Sequence, residues 1–149
     1  MVAELAVIRV ATARAVLEPD WLTRAEPVHR ALRPDLPADY AGLMRDIVDD
    51  GGEVAVAVSA AEVLGVTVFR CYRNTSSGLH FYVDDLVTAP RARSRGVGKT
   101  LLDWLMNEAQ TRGASRLRLD SATHRFDAHR FYHREGMHIA CFHFSRDLV

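Results

Sequence analysis

Apolar positions follow two periods along this chain, and the changes between them mark its elements. Leu5 to Val10 reads as a short first strand. Between Thr12 and Asp50 the spacing is helical, but Pro19, Pro27, Pro34 and Pro37 interrupt it, so two or three short helices are expected rather than one long one. Asp50-Gly51-Gly52 is a turn. Beyond it, Val54 to Val58 and Val63 to Tyr72 are rich in β-branched and aromatic residues and predict two antiparallel strands. Asn74 to Gly78 supplies the next turn, and Leu79 to Val87 a further strand. In that strand Phe81 and Val83 share a face, yet the next apolar residue is Leu86; a bulge near Asp84-Asp85 would restore the phase.

The second half returns to helical spacing. Gly96 to Arg112 carries Val97, Leu101, Leu105 and Ala109 on one stripe, with Leu102 and Trp104 beside it, and ends at Gly113. Ser115 to Asp120 alternates as a strand, Asp127 to Glu135 reads as a helix ended by Gly136, and Met137 to Phe144 as a final strand. Strands followed by helix, strand, helix, strand give a mixed α/β or α+β sheet.

Composition narrows the class. A chain of 149 residues fits one domain, taken here as 1–149, and its 48% hydrophobic and 26% charged residues predict a packed core. Nineteen basic and nineteen acidic side chains cancel, which removes the bulk positive field that drives nonspecific nucleic-acid or membrane binding. No apolar run approaches the roughly 20 residues of a membrane helix. Cys71 and Cys141 sit far apart and no secretory segment is read at the N-terminus, so a disulfide framework is not expected and the compartment reads as cytoplasmic.

Candidate chemistry gathers at the Gly96 helix. Arg91, Arg93, Arg95 and Lys99 crowd its start, where the positive end of the macrodipole disfavours cations, and an anion bound there would account for them. Gly96 and Gly98 let backbone N–H groups approach phosphate oxygens. A helix start with solvated arginines is the ordinary alternative; four cations, two glycines and a preceding strand favour phosphate. Gly98-Lys99-Thr100 matches the end of a P-loop, but the required glycine is replaced by Arg93; a dinucleotide fingerprint fails likewise at Leu101.

Arg93, Gly96 and Gly98 fit Arg/Gln-x-x-Gly-x-Gly/Ala. Asp84-Asp85-Leu86-Val87-Thr88-Ala89-Pro90 precedes that segment, Leu101-Leu102 follows it, and Ala128-x-x-Phe131-Tyr132-x-x-x-Gly136-Met137 lies downstream. On these residues the chain resembles the GNAT superfamily of N-acetyltransferases, over about Leu79 to Phe144. Arg125 stands where the family often has Asn, and Met137 where it usually has Phe.

The resemblance implies a mixed, mostly antiparallel central sheet of six to seven strands flanked by about four helices, with acetyl-CoA as cosubstrate and no metal. It places the pyrophosphate on Arg93, Ser94, Arg95, Gly96, Val97, Gly98, Lys99 and Thr100, and pantetheine along Leu86, Val87 and Thr88 as an added strand. It makes the Val87 N–H the donor that polarises the thioester carbonyl, Tyr132 the proton donor to the departing thiolate, and Asp84 the acceptor of the amine proton. Asp85, His80 or a water remain open for that last role. The acceptor is the amine of a small molecule or peptide, and a homodimer is consistent with the family.

His129 and His133 are four apart on a predicted helix, but neither a His-Glu-x-x-His pattern nor a Cys pair supports zinc, and surface or substrate-side roles fit them better. Trp21, His29, Asp35, Tyr40 and Trp104 are open to substrate contact or to core and cap roles. Two rival functions use the same loop: a noncatalytic acyl-CoA-binding sensor and a nucleotide-binding regulatory domain.

Overall fold

The computed structural model describes residues 4–149. In chain order the elements are β1 (Ala6–Thr12), β2 (Ala15–Val16), α1 (Pro19–Leu32), α2 (Tyr40–Asp49), β3 (Glu53–Ser59), β4 (Glu62–Asn74) and β5 (Gly78–Thr88). A 3-10 turn at Pro90–Ala92 then leads to α3 (Val97–Thr111), β6 (Leu117–Leu119) and α4 (Phe126–Arg134). The chain divides into two compact units, one running up to Arg118 and the other Leu119–Val149.

Six strands form one sheet in the order β2-β1-β3-β4-β5-β6, antiparallel from β2 through β5. All seven residues of β3 are buried, because this central strand is covered on both faces; its Val-Ala-Val-Ala-Val run is apolar without alternation for that reason. On one face, α3 sets Val97 and Leu101 against Gly65 of β4: a Cβ on Gly65 would lie 2.7 Å from Val97 Cγ1, 2.8 Å from Leu101 Cδ1 and 3.3 Å from the Val87 carbonyl. The missing side chain lets the start of α3 approach the sheet closely. Residues of the opposite parity on β4 face α1, whose inward stripe is Leu22, Ala25, Val28 and His29.

Four charged side chains pin the other end of α3. Arg112 donates from Nη1 to Glu53 Oε2 at 2.5 Å and from Nη2 to Glu53 Oε1 at 2.9 Å, while Arg9 bonds Glu108. Glu53 is 4% exposed, so these guanidinium bonds offset the desolvation of its carboxylate. The Arg112 guanidinium also lies over Phe69, 5.7 Å from the ring centroid.

Three expectations change. Pro27 does not interrupt α1: it lies inside the helix on its exposed side, where solvent satisfies the Thr23 carbonyl that loses its partner. Ser115 to Asp120 yields a strand of three residues only. Met137 to Phe144 forms no strand, and Ile139, Phe142 and Phe144 are exposed.

The close approach at Gly65 sets the first prediction. Gly65→Ala is expected to cost about 1–3 kcal/mol by overpacking against two buried side chains, measured by chemical denaturation; an unchanged midpoint would mean that α3 can retreat freely.

Candidate active site

Backbone conformation prepares the start of α3 before any side chain does. Pro90–Ala92 winds one tight turn, Arg93 is extended, Ser94 has φ 62° and Gly96, the N-cap, has φ 81°. The left-handed Ser94 and Gly96 turn the chain sharply into α3. The first intrahelical bond runs from Thr100 N–H to the Gly96 carbonyl at 2.9 Å, so the N–H groups of Gly96, Val97 and Gly98 lie outside the helical ladder. A Cβ on Gly96 would meet nothing within 4 Å, which leaves open space above the turn.

The four cations separate into two pairs. Arg93 and Arg95 are exposed and enter no ion pair among the described residues. Arg91 reaches Glu62 at 3.4 Å, and Lys99 bonds Asp103 one turn along α3 at 3.0 Å. Arg93 and Arg95 are therefore the side chains best disposed to meet a phosphate.

Leu86, Val87 and Thr88 close β5 opposite Thr67, Val66 and Gly65. Two residues beyond Val87, the Ala89 N–H donates to the Leu64 carbonyl at 2.8 Å. N–H groups alternate in direction along an antiparallel strand, so the Val87 N–H also points toward β4, while those of Leu86 and Thr88 face the other edge. The strand beyond that edge is the three-residue β6, and Arg118 bonds Ser76 at the opposite end of β5. From the start of β5 at Gly78 to Leu86 the strand runs about 26 Å, so the three-residue β6 does not reach the Leu86–Thr88 edge.

The register slips where the apolar phase does. Val68 pairs with Asp85 and Phe69 with Val83, leaving Asp84 as the extra residue of a bulge. Both acidic side chains consequently turn to the α1 face. Asp84 is held by Arg70, Nε to Oδ2 at 2.8 Å and Nη2 to Oδ1 at 3.0 Å. Asp85 accepts from His29 Nε2 at 2.7 Å and from Arg33 Nε and Nη2 at 3.0 and 2.7 Å, and its carbonyl accepts from Thr67 Oγ1 at 2.8 Å.

Burial alone would raise the Asp85 carboxyl, but the bonds from His29 and Arg33 outweigh it and hold the pKa below the ordinary value. His29 continues inward: its Nδ1 lies 2.9 Å from the Tyr40 hydroxyl, whose pKa is raised by burial and then by Glu26 and Asp85, against Arg30. His80, buried between Tyr72 and Tyr82, has its pKa lowered by burial, Arg118 and Arg70.

In the second unit, α4 carries Phe131 and Tyr132 side by side, ring centroids 5.4 Å apart, and ends on Gly136 with φ 87°. Tyr132 is half-buried, and burial raises its phenol above the ordinary value against Arg125. A raised phenol stays protonated at neutral pH, which suits a donor and not a base. His129 Nε2 bonds the Ala122 carbonyl and His133 Nδ1 the Met137 carbonyl.

The structure thus brings the Arg93–Thr100 turn and the Leu86–Thr88 edge onto consecutive elements, with Asp84 and Asp85 just before the edge. Of the residues around the acidic pair, His29 was open from sequence to substrate contact or a core role, while Arg33, Thr67 and Arg70 were not singled out. One signal was present: His29 falls on the apolar stripe of α1, four residues after Ala25 and seven after Leu22, where a polar side chain needs a partner.

Residues 16–137 match the acetyltransferase (GNAT) family. The chain is 30% identical over 115 residues to an aminoalkylphosphonate N-acetyltransferase from Salmonella typhimurium, covering 76% of this chain and 75% of that protein. Its fold is similar to that of the aminoglycoside N-acetyltransferase AAC(6')-Iy in complex with CoA, with TM-score 0.81, 16% identity and coverage of 99% and 97% of the two chains. It is also similar to a ribosomal-protein-alanine N-acetyltransferase from Brucella melitensis biovar Abortus 2308, with TM-score 0.79, 16% identity and coverage of 97% and 99%.

Because the folded-state pKa of Asp85 is depressed, its contribution to stability is present above the unfolded carboxyl pKa and is lost as pH falls through the folded value. Asp85→Asn is therefore expected to lower Tm at neutral pH and to flatten the fall of Tm below about pH 5. A variant whose Tm tracks the wild type throughout acid titration would show that the His29 and Arg33 bonds contribute nothing net.

Proposed function

The chain belongs to the acetyltransferase (GNAT) family, and from that premise we propose that it moves the acetyl group of acetyl-CoA to a primary amine of a small molecule or peptide, by direct attack in a ternary complex. One observation carries the reading: a left-handed Gly96 turn opens α3 with its first N–H groups outside the ladder, directly after a β5 edge that β6 does not reach. A pyrophosphate suits the first and an extended pantetheine the second.

In this reading the backbone of Arg93 to Thr100 and the Arg93 and Arg95 side chains hold the pyrophosphate. Pantetheine runs along Leu86, Val87 and Thr88. The direction of the ladder moves the carbonyl-polarising role expected of the Val87 N–H to the outward N–H groups of Leu86 and Thr88. The neutral amine attacks the thioester carbon, a C–N bond forms and the C–S bond breaks. Asp84 takes the amine proton, directly or through a water, and Tyr132 gives its proton to the thiolate. The family match crosses the boundary at Arg118, and we read both units as one acetyltransferase domain, cytoplasmic and homodimeric, the last tested by sedimentation.

The relative named for aminoalkylphosphonates and the neighbour named for aminoglycosides favour a small-molecule amine. A noncatalytic acyl-CoA-binding sensor is the second reading, favoured by the Arg70 bonds that occupy both Asp84 oxygens.

Thermal shift with acetyl-CoA, CoA and ATP, in the wild type and a Gly96→Asp, Gly98→Asp double variant, tests the loop. Saturation at 100 Kd adds about 2.7 kcal/mol, enough to raise Tm by several degrees. Stabilisation by both CoA forms and its loss in the folded variant are expected; no shift with either would remove the basis of the reading. Tyr132→Phe should lower kcat about 10²- to 10⁴-fold with little change in acetyl-CoA affinity, and Asp84→Asn should flatten the acid limb of the pH–rate profile. CoA binding without transfer to any amine would leave the sensor.

A further inference from the structure

His29 is 1% exposed on the inward stripe of α1, where an aliphatic side chain would pack as well. Instead both ring nitrogens are bonded. Nε2 faces the Asp85 carboxylate, an acceptor, at 2.7 Å, and so carries a proton, while Nδ1 lies 2.9 Å from the Tyr40 hydroxyl. The ring is thereby fixed in one orientation between α2 and β5.

What it grips is the residue next to the bulge. Asp85 is bonded at three atoms: Oδ2 by His29, Oδ1 by Arg33 and its carbonyl by Thr67. Asp84 itself has no ladder partner, since the bulge sets two residues of β5 against one of β4. Its direction therefore depends on its clamped neighbour and on Arg70, with Arg33 Nη2 also 3.5 Å from the Asp84 carbonyl.

We propose that His29 is a positioning residue for acetyl transfer, acting through Asp85 to hold the Asp84 bulge in the orientation that receives the acceptor amine. This rests on the acetyl-transfer reading above. Tyr40 fixes the ring from behind, and Arg33, at the end of α1, ties the connection between α1 and α2 to the same carboxylate. The bulge, α1 and the segment that follows α1 form one hydrogen-bonded piece on the acceptor side of the sheet.

The test compares the wild type with His29→Leu and His29→Gln. Acetyl-CoA affinity is measured by calorimetry and acetyl transfer by thiol release, with 2-aminoethylphosphonate, sisomicin and an alanine-terminated peptide as acceptors. His29→Leu is expected to keep acetyl-CoA Kd within about twofold and to lose about tenfold to a hundredfold in kcat. His29→Gln, whose amide can still donate to Asp85, is expected to recover most of that loss. If His29→Leu fails to fold, Tyr40→Phe, which removes only the bond to Nδ1, takes its place with a several-fold fall in kcat expected. Unchanged kcat in the folded variant, or equal losses of kcat, Tm and acetyl-CoA binding in the Leu and Gln variants, would overturn the positioning role. A wild type that neither binds acetyl-CoA nor acetylates any of the three amines would instead overturn the acetyl-transfer reading, and this assignment with it.

Discussion

A single extra residue in β5 governs how the candidate site is laid out. Before Asp84, Phe81 and Val83 face α3; after it, Val87 faces α1, and the two carboxylates between them share the α1 face. A strand without the insertion would send one of them into the apolar layer beneath α3. The insertion has its own cost, because it disturbs the ladder and crowds two negative charges. Thr67 supplies a second donor to the Asp85 carbonyl, and Arg70, Arg33 and His29 neutralise or bond the carboxylates.

The second determinant is the distance between α3 and the sheet. Gly65 lets Val97 and Leu101 touch the backbone of β4, which brings the Gly96 turn to the end of β5. The ion cluster of Arg9, Glu53, Glu108 and Arg112 anchors the far end of the same helix. Glycine at one end and charge at the other fix both the tilt and the depth of α3, and thereby the spacing between its first N–H groups and the open β5 edge.

Features with a local cause were legible in the sequence. The stripe of Val97, Leu101, Leu105 and Ala109, the turns at Gly51 and Gly78, and the phase slip between Val83 and Leu86 all lie within a few residues of what they determine. Pro27 was misread as an interruption because the local rule does not know which side of the helix meets water. Met137 to Phe144 has the composition of a strand, but a strand also needs a neighbour, which composition does not supply. That Asp85 is the partner of His29 and Arg33 was not legible for a related reason: they are separated from it by 56 and 52 residues, and no periodicity spans such gaps. The outward direction of the Leu86 and Thr88 N–H groups required the register, which only the assembled sheet defines.

The span of these bonds also bears on the order in which the chain acquires its structure. Arg9 and Glu108 are 99 residues apart, and Glu53 finds Arg112 only after 59 further residues. On a ribosome, β1 to β5 emerge with Glu53 on the face that α3 has yet to cover, so that face of β3 waits for its helix and the carboxylate for its guanidinium. Long closures of this kind slow folding. The helix that opens with the Gly96 turn is therefore also the element whose far end closes the longest-range ion pairs of the first unit.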